Sequence, residues 1–239
     1  MSKFSHRSGQ KELLDGDHLP FEDIRLNMQE LDFINTWLGG HLITLAGIRC
    51  LLHSTATLKS PLHICEIGCG GGDNLRVIKK YLNRQGISAH YTGIDLNPHC
   101  IAYAESRKEN EGITFICSDY KKALFASKPQ IIFSSLFCHH FNNEALKQQW
   151  QWMKDHTTLG FFVNDLHRHP LAYYSIRWLT NWFSKSYLVK NDAPLSVLRG
   201  FHKSELIALQ QDLLPANITI HWKWAFRWLL IYKHEPTNI

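Results

Sequence analysis

The sequence predicts an α/β fold: a doubly wound, mostly parallel sheet of seven strands with an antiparallel C-terminal hairpin, preceded by an N-terminal helical cap. Three observations predict it. Short apolar runs alternate with helical stretches after residue 61, three of these stretches are long enough for right-handed crossovers, and two adjacent apolar runs lie near the C-terminal end. We expect the cap over residues 1–58 and the sheet domain over 59–239, with an aromatic insert at about 170–200.

The individual elements follow from the spacing of apolar residues. Helical spacing over 22–52, interrupted by Gly39 and Gly40, predicts two or three helices in the cap. The later helices are predicted over 74–85, 98–110, 142–153 and 203–213. The strands are predicted over 62–67, 90–94, 113–117, 130–133, 161–163, 218–226 and 228–233.

Composition excludes several classes of protein. No apolar run approaches the roughly 18 residues that a membrane span requires, and no secretory signal is recognisable, so we expect a cytoplasmic protein. The six cysteines form no CxxC pair, which favours reduced core thiols over disulfides, and no metal site is predicted. The net charge of +5 is too small to imply nucleic-acid binding.

A glycine loop follows the first predicted strand. Gly68, Gly70, Gly71 and Gly72 precede a helix whose first N–H groups are free, an arrangement that favours ligand binding over a simple tight turn. Asp73 stands where the dinucleotide fingerprint requires its third glycine, and the Gly-Lys-Ser/Thr ending of a phosphate-binding P-loop is absent. The loop therefore disfavours NAD, FAD, ATP and GTP.

This loop resembles motif I of the class I S-adenosylmethionine-dependent methyltransferases, matched at Glu66, Gly68, Gly70 and Gly72, with Cys69 between the glycines. The resemblance implies a Rossmann-like methyltransferase fold that binds S-adenosyl-L-methionine and releases S-adenosyl-L-homocysteine. An acidic loop also suits the amino group of a methionine moiety better than it suits a pyrophosphate.

Acidic residues end the next two predicted strands. Asp95 lies where a carboxylate accepts hydrogen bonds from ribose hydroxyls, although such a residue is also a common helix cap. The resemblance implies ribose binding by Asp95, adenine contacts by Leu96, Asp119 and Tyr120, and methionine contacts by Ser135 and Leu136. For Asp119 and Tyr120, a solvated turn is the alternative.

Histidines follow the fourth and fifth predicted strands. His139 and His140 resemble the His-His loop of small-molecule methyltransferases, and either is a candidate base because histidine changes protonation near neutral pH. His167 is a third candidate base, with Asp165 orienting it and Arg168 holding an anionic substrate. Helix capping and a structural loop network are the alternatives.

The aromatic insert and the N-terminal helices are together predicted to roof the acceptor site. Tyr173, Tyr174 and Trp178, with Trp182 and Phe183, recur at helical spacing, although such a stripe also occurs in plain core. Segments 35–40, 164–168 and 195–201 are similar to those of bacterial methyltransferases of small phenolic or quinone-like metabolites. The expected function is therefore O-methylation of a small aromatic molecule by a monomer or homodimer. The alternatives are C-methylation of a quinone-type ring, a non-catalytic S-adenosylmethionine-binding relative, and RNA methylation.

Overall fold

The computed structural model describes residues 2–16, 19–53, 61–211 and 217–235. Two helices precede the first strand, and the remaining elements alternate up to a C-terminal hairpin. The helices are α1 (Phe21–Trp37), α2 (Gly40–Leu52), α3 (Asp73–Arg84), α4 (Pro98–Ser106), α5 (Asn143–Asp155), α6 (Pro170–Phe183), α7 (Tyr187–Arg199) and α8 (Lys203–Gln211). The strands are β1 (Leu62–Ile67), β2 (Ala89–Asp95), β3 (Thr114–Cys117), β4 (Ile131–Ser135), β5 (Gly160–Leu166), β6 (Ile218–Lys223) and β7 (Arg227–Lys233).

The seven strands form one sheet in the order β3-β2-β1-β4-β5-β7-β6. Strands β1 to β5 are parallel, whereas β7 lies antiparallel between β5 and β6. This order confirms the predicted doubly wound sheet with its antiparallel hairpin. The strand order reverses between β1 and β4, and ligands of such sheets bind beyond the carboxyl ends of the strands at that reversal.

Successive side chains along the strands point to opposite faces of the sheet, so that a core forms on each face. Ile64, Phe133 and Phe162 pack under α2 and α3, and the two phenylalanine rings stack with centroids 4.8 Å apart. Cys65 and Ile132 point to the other face and pack against α5 and α8. Because helices cover both faces of the sheet, the sequences of the central strands are mostly apolar.

Of the two or three predicted cap helices, two are present among the described residues, and they differ in what they cover. Helix α2 packs directly on the sheet through residues such as Ile48, which is fully buried. Helix α1 packs on α4, where Ile24 and Met28 meet Tyr103. The proposed boundary at residues 58 and 59 lies outside the described residues.

Two predicted elements are shorter or more divided than expected, and a third reaches the edge of the described residues. The predicted strand over 218–226 ends at Lys223, because a turn with Phe226 at φ 56° reverses the chain into β7. The predicted helix over 98–110 ends at Ser106, and a short 3-10 turn follows it. The helix predicted over 203–213 extends to Gln211, and residues 212 and 213 lie outside the described residues. None of the described helices has the length and apolar character to cross a membrane.

Candidate active site

A cavity of about 920 Å³ opens beyond the carboxyl ends of β1, β2 and β4, at the reversal of strand order. Its walls come from the glycine loop, the ends of these strands, helix α1, the N-terminal segment 11–16 and Leu19. The predicted cofactor residues that line it are Glu66, Gly68, Cys69, Gly70, Asp95, Leu96, Asp119, Tyr120, Ser135 and Leu136. The structure thus brings ten of the eleven predicted cofactor residues to one cavity.

The glycine loop takes a conformation that other residues resist. Gly68 has φ 67°, and a Cβ there would collide with the ring of Phe137. Gly72, which precedes α3, has φ 73°, and a Cβ there would lie 2.6 Å from the ring of Phe115. Gly72 does not line the cavity, so its part is to turn the chain into the helix. Both positions require glycine because of backbone angle and space together.

Asp95 ties the end of β2 to the glycine loop. One carboxylate oxygen accepts the N–H of Gly70 at 2.9 Å, and the other accepts the N–H of Asn97 at 2.9 Å. Burial raises the pKa of Asp95, and the hydrogen bonds from backbone N–H groups oppose that rise. A carboxylate can accept about four hydrogen bonds, so lone pairs remain for two hydroxyl donors.

Glu66 is buried at the end of β1, and only one of its two carboxylate oxygens has a hydrogen-bond partner among the described residues. Its Oε1 accepts the amide N–H of Asn74 at 2.9 Å, whereas Oε2 has no hydrogen-bond partner among the described residues. Burial, followed by the nearby carboxylates of Asp73 and Asp95, raises the pKa of Glu66 well above its usual range. An unpaired buried acceptor of this kind fits a ligand with a cationic donor, such as an ammonium group.

The side of the cavity near β3 and β4 is flat and partly aromatic. Asp119 caps a 3-10 turn by accepting the N–H of Lys121 at 3.0 Å, and the Tyr120 side chain is buried behind it. Leu96 projects into the solvent-facing part of the cavity. Leu136 has φ 53° at the exit of β4, which turns the chain sharply away from the sheet.

His139 lies in a buried network of charges rather than in the cavity. Its Nδ1 lies 2.8 Å from Oδ1 of Asp165, and its Nε2 lies 3.3 Å from Oε1 of Glu12. Burial disfavours the imidazolium, but the two carboxylates outweigh it and raise the pKa of His139 to about 9. His139 is therefore a charged structural group, and Asp165 orients it instead of His167.

His140 is the predicted base that lines the cavity. Its Nδ1 lies 3.2 Å from the carboxylate of Asp15, and its Nε2 lies 3.7 Å from Oε2 of Glu12. Because Asp15 accepts the hydrogen from Nδ1, the basic lone pair of the neutral ring is on Nε2. This arrangement suits a histidine that accepts a proton from a ligand.

Two arginines fasten the N-terminal segment over the histidine loop. Arg199 donates to the carbonyls of His139, His140 and Gln10 at 3.2, 2.9 and 2.6 Å. Arg7 donates to the carbonyls of His139 and Phe141 at 3.0 and 2.8 Å. The segment that carries Glu12 and Asp15 is thus a fixed wall of the cavity.

The structure does not bring His167 and Arg168 to the cavity. His167 accepts the indole N–H of Trp222 at 3.3 Å, and burial beside His169 and His202 lowers its pKa to about 4. Arg168 is fully buried and donates to the carbonyls of Phe4 and Gly200 and to Glu205. Arg168 therefore has a structural role instead of the predicted substrate-binding role, because its guanidinium already donates hydrogen bonds to these protein groups.

The predicted aromatic roof faces elsewhere. Tyr173 packs on Phe4 with ring centroids 5.7 Å apart, and Lys3 lies over the Tyr173 ring. Tyr174 and Trp178 are exposed, and neither lines the cavity. Helix α6 starts beyond the bridge that joins His167 to Phe201, and its aromatic stripe is exposed and does not line the cavity. This placement does not support the prediction that the aromatic insert roofs the acceptor site.

Helix α1 lines the cavity, as the predicted roof of N-terminal helices requires, but sequence reasoning missed the individual residues that lie there. Lys11, Leu14 and Asp15 come from the N-terminal segment, and Met28 and Leu31 come from α1. Leu14, Met28 and Leu31 are apolar residues of the kind that fill any core, and no motif surrounds Asp15. Asp73 and Asn74, which directly follow the glycine loop, did have a position that pointed to the site.

Two groups of side chains among the described residues have metal-ligand spacing. They consist of Glu12, His139 and His140, and of Asp32, His41 and Asp73, with ligand atoms within 4.8 Å of one another. In each group the histidine nitrogens already contact carboxylates, as in the 3.1 Å pair of His41 and Asp32. These histidine–carboxylate contacts explain why the side chains of each group lie close together.

Comparisons with known proteins agree with this geometry. Residues 64–160 match the methyltransferase domain family. Malonyl-[acyl-carrier protein] O-methyltransferase of Acetivibrio thermocellus is 32% identical over 85 residues, which are 36% of this chain and 29% of that enzyme. The chain thus matches less than a third of that relative's length.

Solved methyltransferases share the fold. The plantazolicin methyltransferase BpumL in complex with SAH aligns over 90% of both chains with a TM-score of 0.63 and 18% identity. The magnesium protoporphyrin IX methyltransferase of Synechocystis PCC 6803 with bound SAH aligns over 95% of this chain and 90% of that chain, with a TM-score of 0.50 and 14% identity. Residues 64–160, which contain the Glu66–Gly72 loop, are therefore a methyltransferase domain of the class I S-adenosylmethionine-dependent type.

Proposed function

We propose that this enzyme transfers a methyl group from S-adenosylmethionine to an oxygen atom of a small, partly apolar aromatic molecule. The observation that carries the proposal is that His140 lines the same cavity as Asp95 and the glycine loop. A candidate base, the proposed ribose-binding carboxylate and the proposed methionine-binding loop therefore face one cavity of about 920 Å³.

The residues of the cavity fit the cofactor part by part. Asp95 would hold the ribose hydroxyls, and Asp119 with Leu96 and Tyr120 would hold the adenine. The unpaired Oε2 of Glu66 would accept the methionine ammonium, which removes the cost of leaving a buried acceptor without a donor. When bound, the cofactor supplies an electrophilic methyl group on a sulfonium.

The acceptor would lie between α1 and the histidine loop. Apolar side chains line that side of the cavity: Leu14, Leu19, Met28, Leu31, Phe137 and Phe141. Few charged groups are free there, since Arg199 is engaged with three backbone carbonyls. Walls of this composition favour a planar, mostly apolar ligand with one polar edge.

His140 would remove the proton of the acceptor hydroxyl. Asp15 holds Nδ1 as a donor, so Nε2 accepts the proton and the carboxylate stabilises the imidazolium that forms. Proximity supplies the remainder of the acceleration, because methyl transfer needs an in-line approach of the two reacting atoms. The name of the matched relative, an O-methyltransferase, supports oxygen as the acceptor atom.

The test is transfer of labelled methyl groups from S-adenosylmethionine to a panel of phenols, quinols and carboxylic acids, with analysis of the labelled atom. We expect label on a phenolic oxygen. His140→Ala should lose this label, and His221→Ala should keep it. His221 lies on β6, exposed and away from the cavity, so it controls for loss of a histidine. Label on ring carbon would establish C-methylation instead. Label on carboxylic acids alone would overturn the aromatic acceptor, and tight cofactor binding without any transfer would overturn the proposed activity.

A further inference from the structure

Large apolar side chains are exposed on the outside of α6 and its neighbours. Leu171, Tyr174, Trp178 and Trp182 follow each other at helical spacing and form one stripe about 17 Å long. Phe183 extends the stripe, with its ring centroid 6.4 Å from that of Trp178. Each of these five side chains is more than half exposed, whereas a surface helix normally turns its apolar stripe inward.

The stripe continues onto α1 at its C-terminal end. Glu30 of α1 accepts a hydrogen bond from the hydroxyl of Ser184 and another from the N–H of Lys185 at 2.7 Å. Phe33 and Trp37 follow Glu30 by three and seven residues, so they lie on the same face of α1. Both are more than half exposed, and their ring centroids are 5.7 Å apart.

The stripe continues onto the β6–β7 turn at its other end. His169 accepts the N–H of Leu171 at the start of α6 and stacks on Phe226 with centroids 5.0 Å apart. Trp224, two residues before Phe226, is also more than half exposed. We call these residues the aromatic surface: Phe33, Trp37, Leu171, Tyr174, Trp178, Trp182, Phe183 and Trp224.

The charges around the aromatic surface are positive. Residues 166–191 contain no aspartate or glutamate, and Arg177, Lys185 and Lys190 are exposed within them. The neighbouring α1 carboxylates of Glu30 and Asp23 accept hydrogen bonds from this segment, that of Asp23 from the Tyr187 hydroxyl at 3.1 Å, and they offset only part of the positive charge. A two-fold contact between copies of this face would set these cations against themselves, whereas anionic lipid headgroups would complement them.

We propose that the aromatic surface docks this enzyme on an anionic phospholipid bilayer, on which the protein lies without spanning it. Trp, Tyr and Phe side chains favour the zone between headgroups and acyl chains, and exposed Arg and Lys favour the anionic surface. Helix α1 separates the two environments, because Met28, Leu31 and Asn35 on its opposite face line the cavity. A docked enzyme would therefore hold its acceptor cavity one helix away from the lipid.

The test is co-sedimentation of the full-length protein with sucrose-loaded vesicles of phosphatidylcholine alone or mixed with phosphatidylglycerol. We expect binding to the mixed vesicles that weakens with salt, and a loss of about tenfold in Trp178→Ser/Trp182→Ser. Leu124→Ser removes an apolar side chain that is even more exposed but lies outside this surface, so it is the control and should bind as the wild type does. Arg177→Glu/Lys185→Glu keeps the aromatic residues and should also lose about tenfold.

Binding of S-adenosylhomocysteine to each variant reports separately on folding and on the cofactor site, so failure of the docking surface is distinguishable from failure of the proposed activity. Equal binding by the wild type and both double variants would overturn the proposal, as would no binding to anionic vesicles. A concentration-dependent dimer in sedimentation velocity that the Trp178→Ser/Trp182→Ser variant abolishes, without vesicle binding, would assign the surface to a second copy of the chain instead.

Discussion

Nδ1 of His139 lies 2.8 Å from Oδ1 of Asp165, and both side chains are buried, whereas the adjacent His140 lines the cavity and contacts Asp15. The 3-10 turn at Cys138–His140 sends these two neighbouring side chains in different directions. One histidine therefore holds the loop as a buried cation, and the other is available to a ligand. Glu12 contacts both and joins the two environments.

The buried ion pair makes stability depend on pH. The pKa of His139 is raised to about 9, so the stability it contributes is fully present below pH 6.5 and is lost as pH rises through 9. We expect His139→Gln to lower the free energy of unfolding by about 3 kcal/mol at pH 6, and by less at pH 9.5. Urea unfolding at both pH values measures this, with His221→Gln as the surface control. A pH-independent difference would contradict the ion pair.

Substitution of Asp95 is expected to weaken cofactor binding strongly. Asp95→Ala removes the proposed ribose acceptor and also leaves the N–H groups of Gly70 and Asn97 without their partner. We expect a loss of about 100-fold in affinity for S-adenosylhomocysteine by calorimetry, and a smaller loss in Asp95→Asn. Asp155→Ala, on the exposed end of α5, is the control. Unchanged affinity in Asp95→Ala would move the ribose elsewhere in the cavity.

Gly68 and Gly86 make a matched pair for testing the glycine loop. Both have positive φ, 67° and 70°, but a Cβ at Gly68 would meet the Phe137 ring, whereas a Cβ at Gly86 meets open space. Gly86→Ala should cost about 1 kcal/mol of stability from backbone strain alone. Gly68→Ala should cost about 1–3 kcal/mol more because Phe137 must move, and it should also weaken cofactor binding. Thermal unfolding and calorimetry of both variants test this, and equal losses would exclude the steric contribution.

Loss of the proposed base should reduce turnover and leave binding intact. We expect His140→Ala to lower kcat by about 100-fold, with affinity for S-adenosylhomocysteine within about threefold of the wild type. Asp15→Asn should lower kcat less, because the amide still accepts the hydrogen from Nδ1. Steady-state rates with the acceptor found in the methyl-transfer screen provide the measurement. A proportional fall in binding and rate would mean that His140 positions ligands and does not act as a base.

The pKa of Glu66 predicts how cofactor binding changes with pH. Because burial and the carboxylates of Asp73 and Asp95 raise this pKa, the side chain becomes protonated at a higher pH than an exposed glutamate does. A cationic donor favours the ionised form, so binding of S-adenosylhomocysteine should weaken as pH falls through the raised pKa. Calorimetry from pH 5 to 8 measures the effect, and Glu66→Gln should flatten it. The same slope in Glu66→Gln would assign the titration to another group.

The local sequence determined the strands and the cofactor loop. Short, mostly apolar runs such as 62–67, alternating with helical stretches, predict the strands of a parallel sheet, and the position of Asp95 at the end of the second strand placed it at the carboxyl edge beside Gly70. These predictions depend on periodicity, on glycine conformation and on the rule that parallel strands end at one edge. All of them use information within a few tens of residues.

Only the tertiary structure decided the acceptor side of the cavity and the course of α6. Asp15 meets His140 across 125 residues of chain, and Arg199 reaches the same loop across 60. Such contacts leave no periodic pattern in the sequence. The aromatic residues on α6 have the same spacing whether that face of the helix is buried or exposed. The direction of the face depends on where the helix begins, beyond His167. Periodicity shows that a helix has an apolar face, and packing alone decides what that face meets.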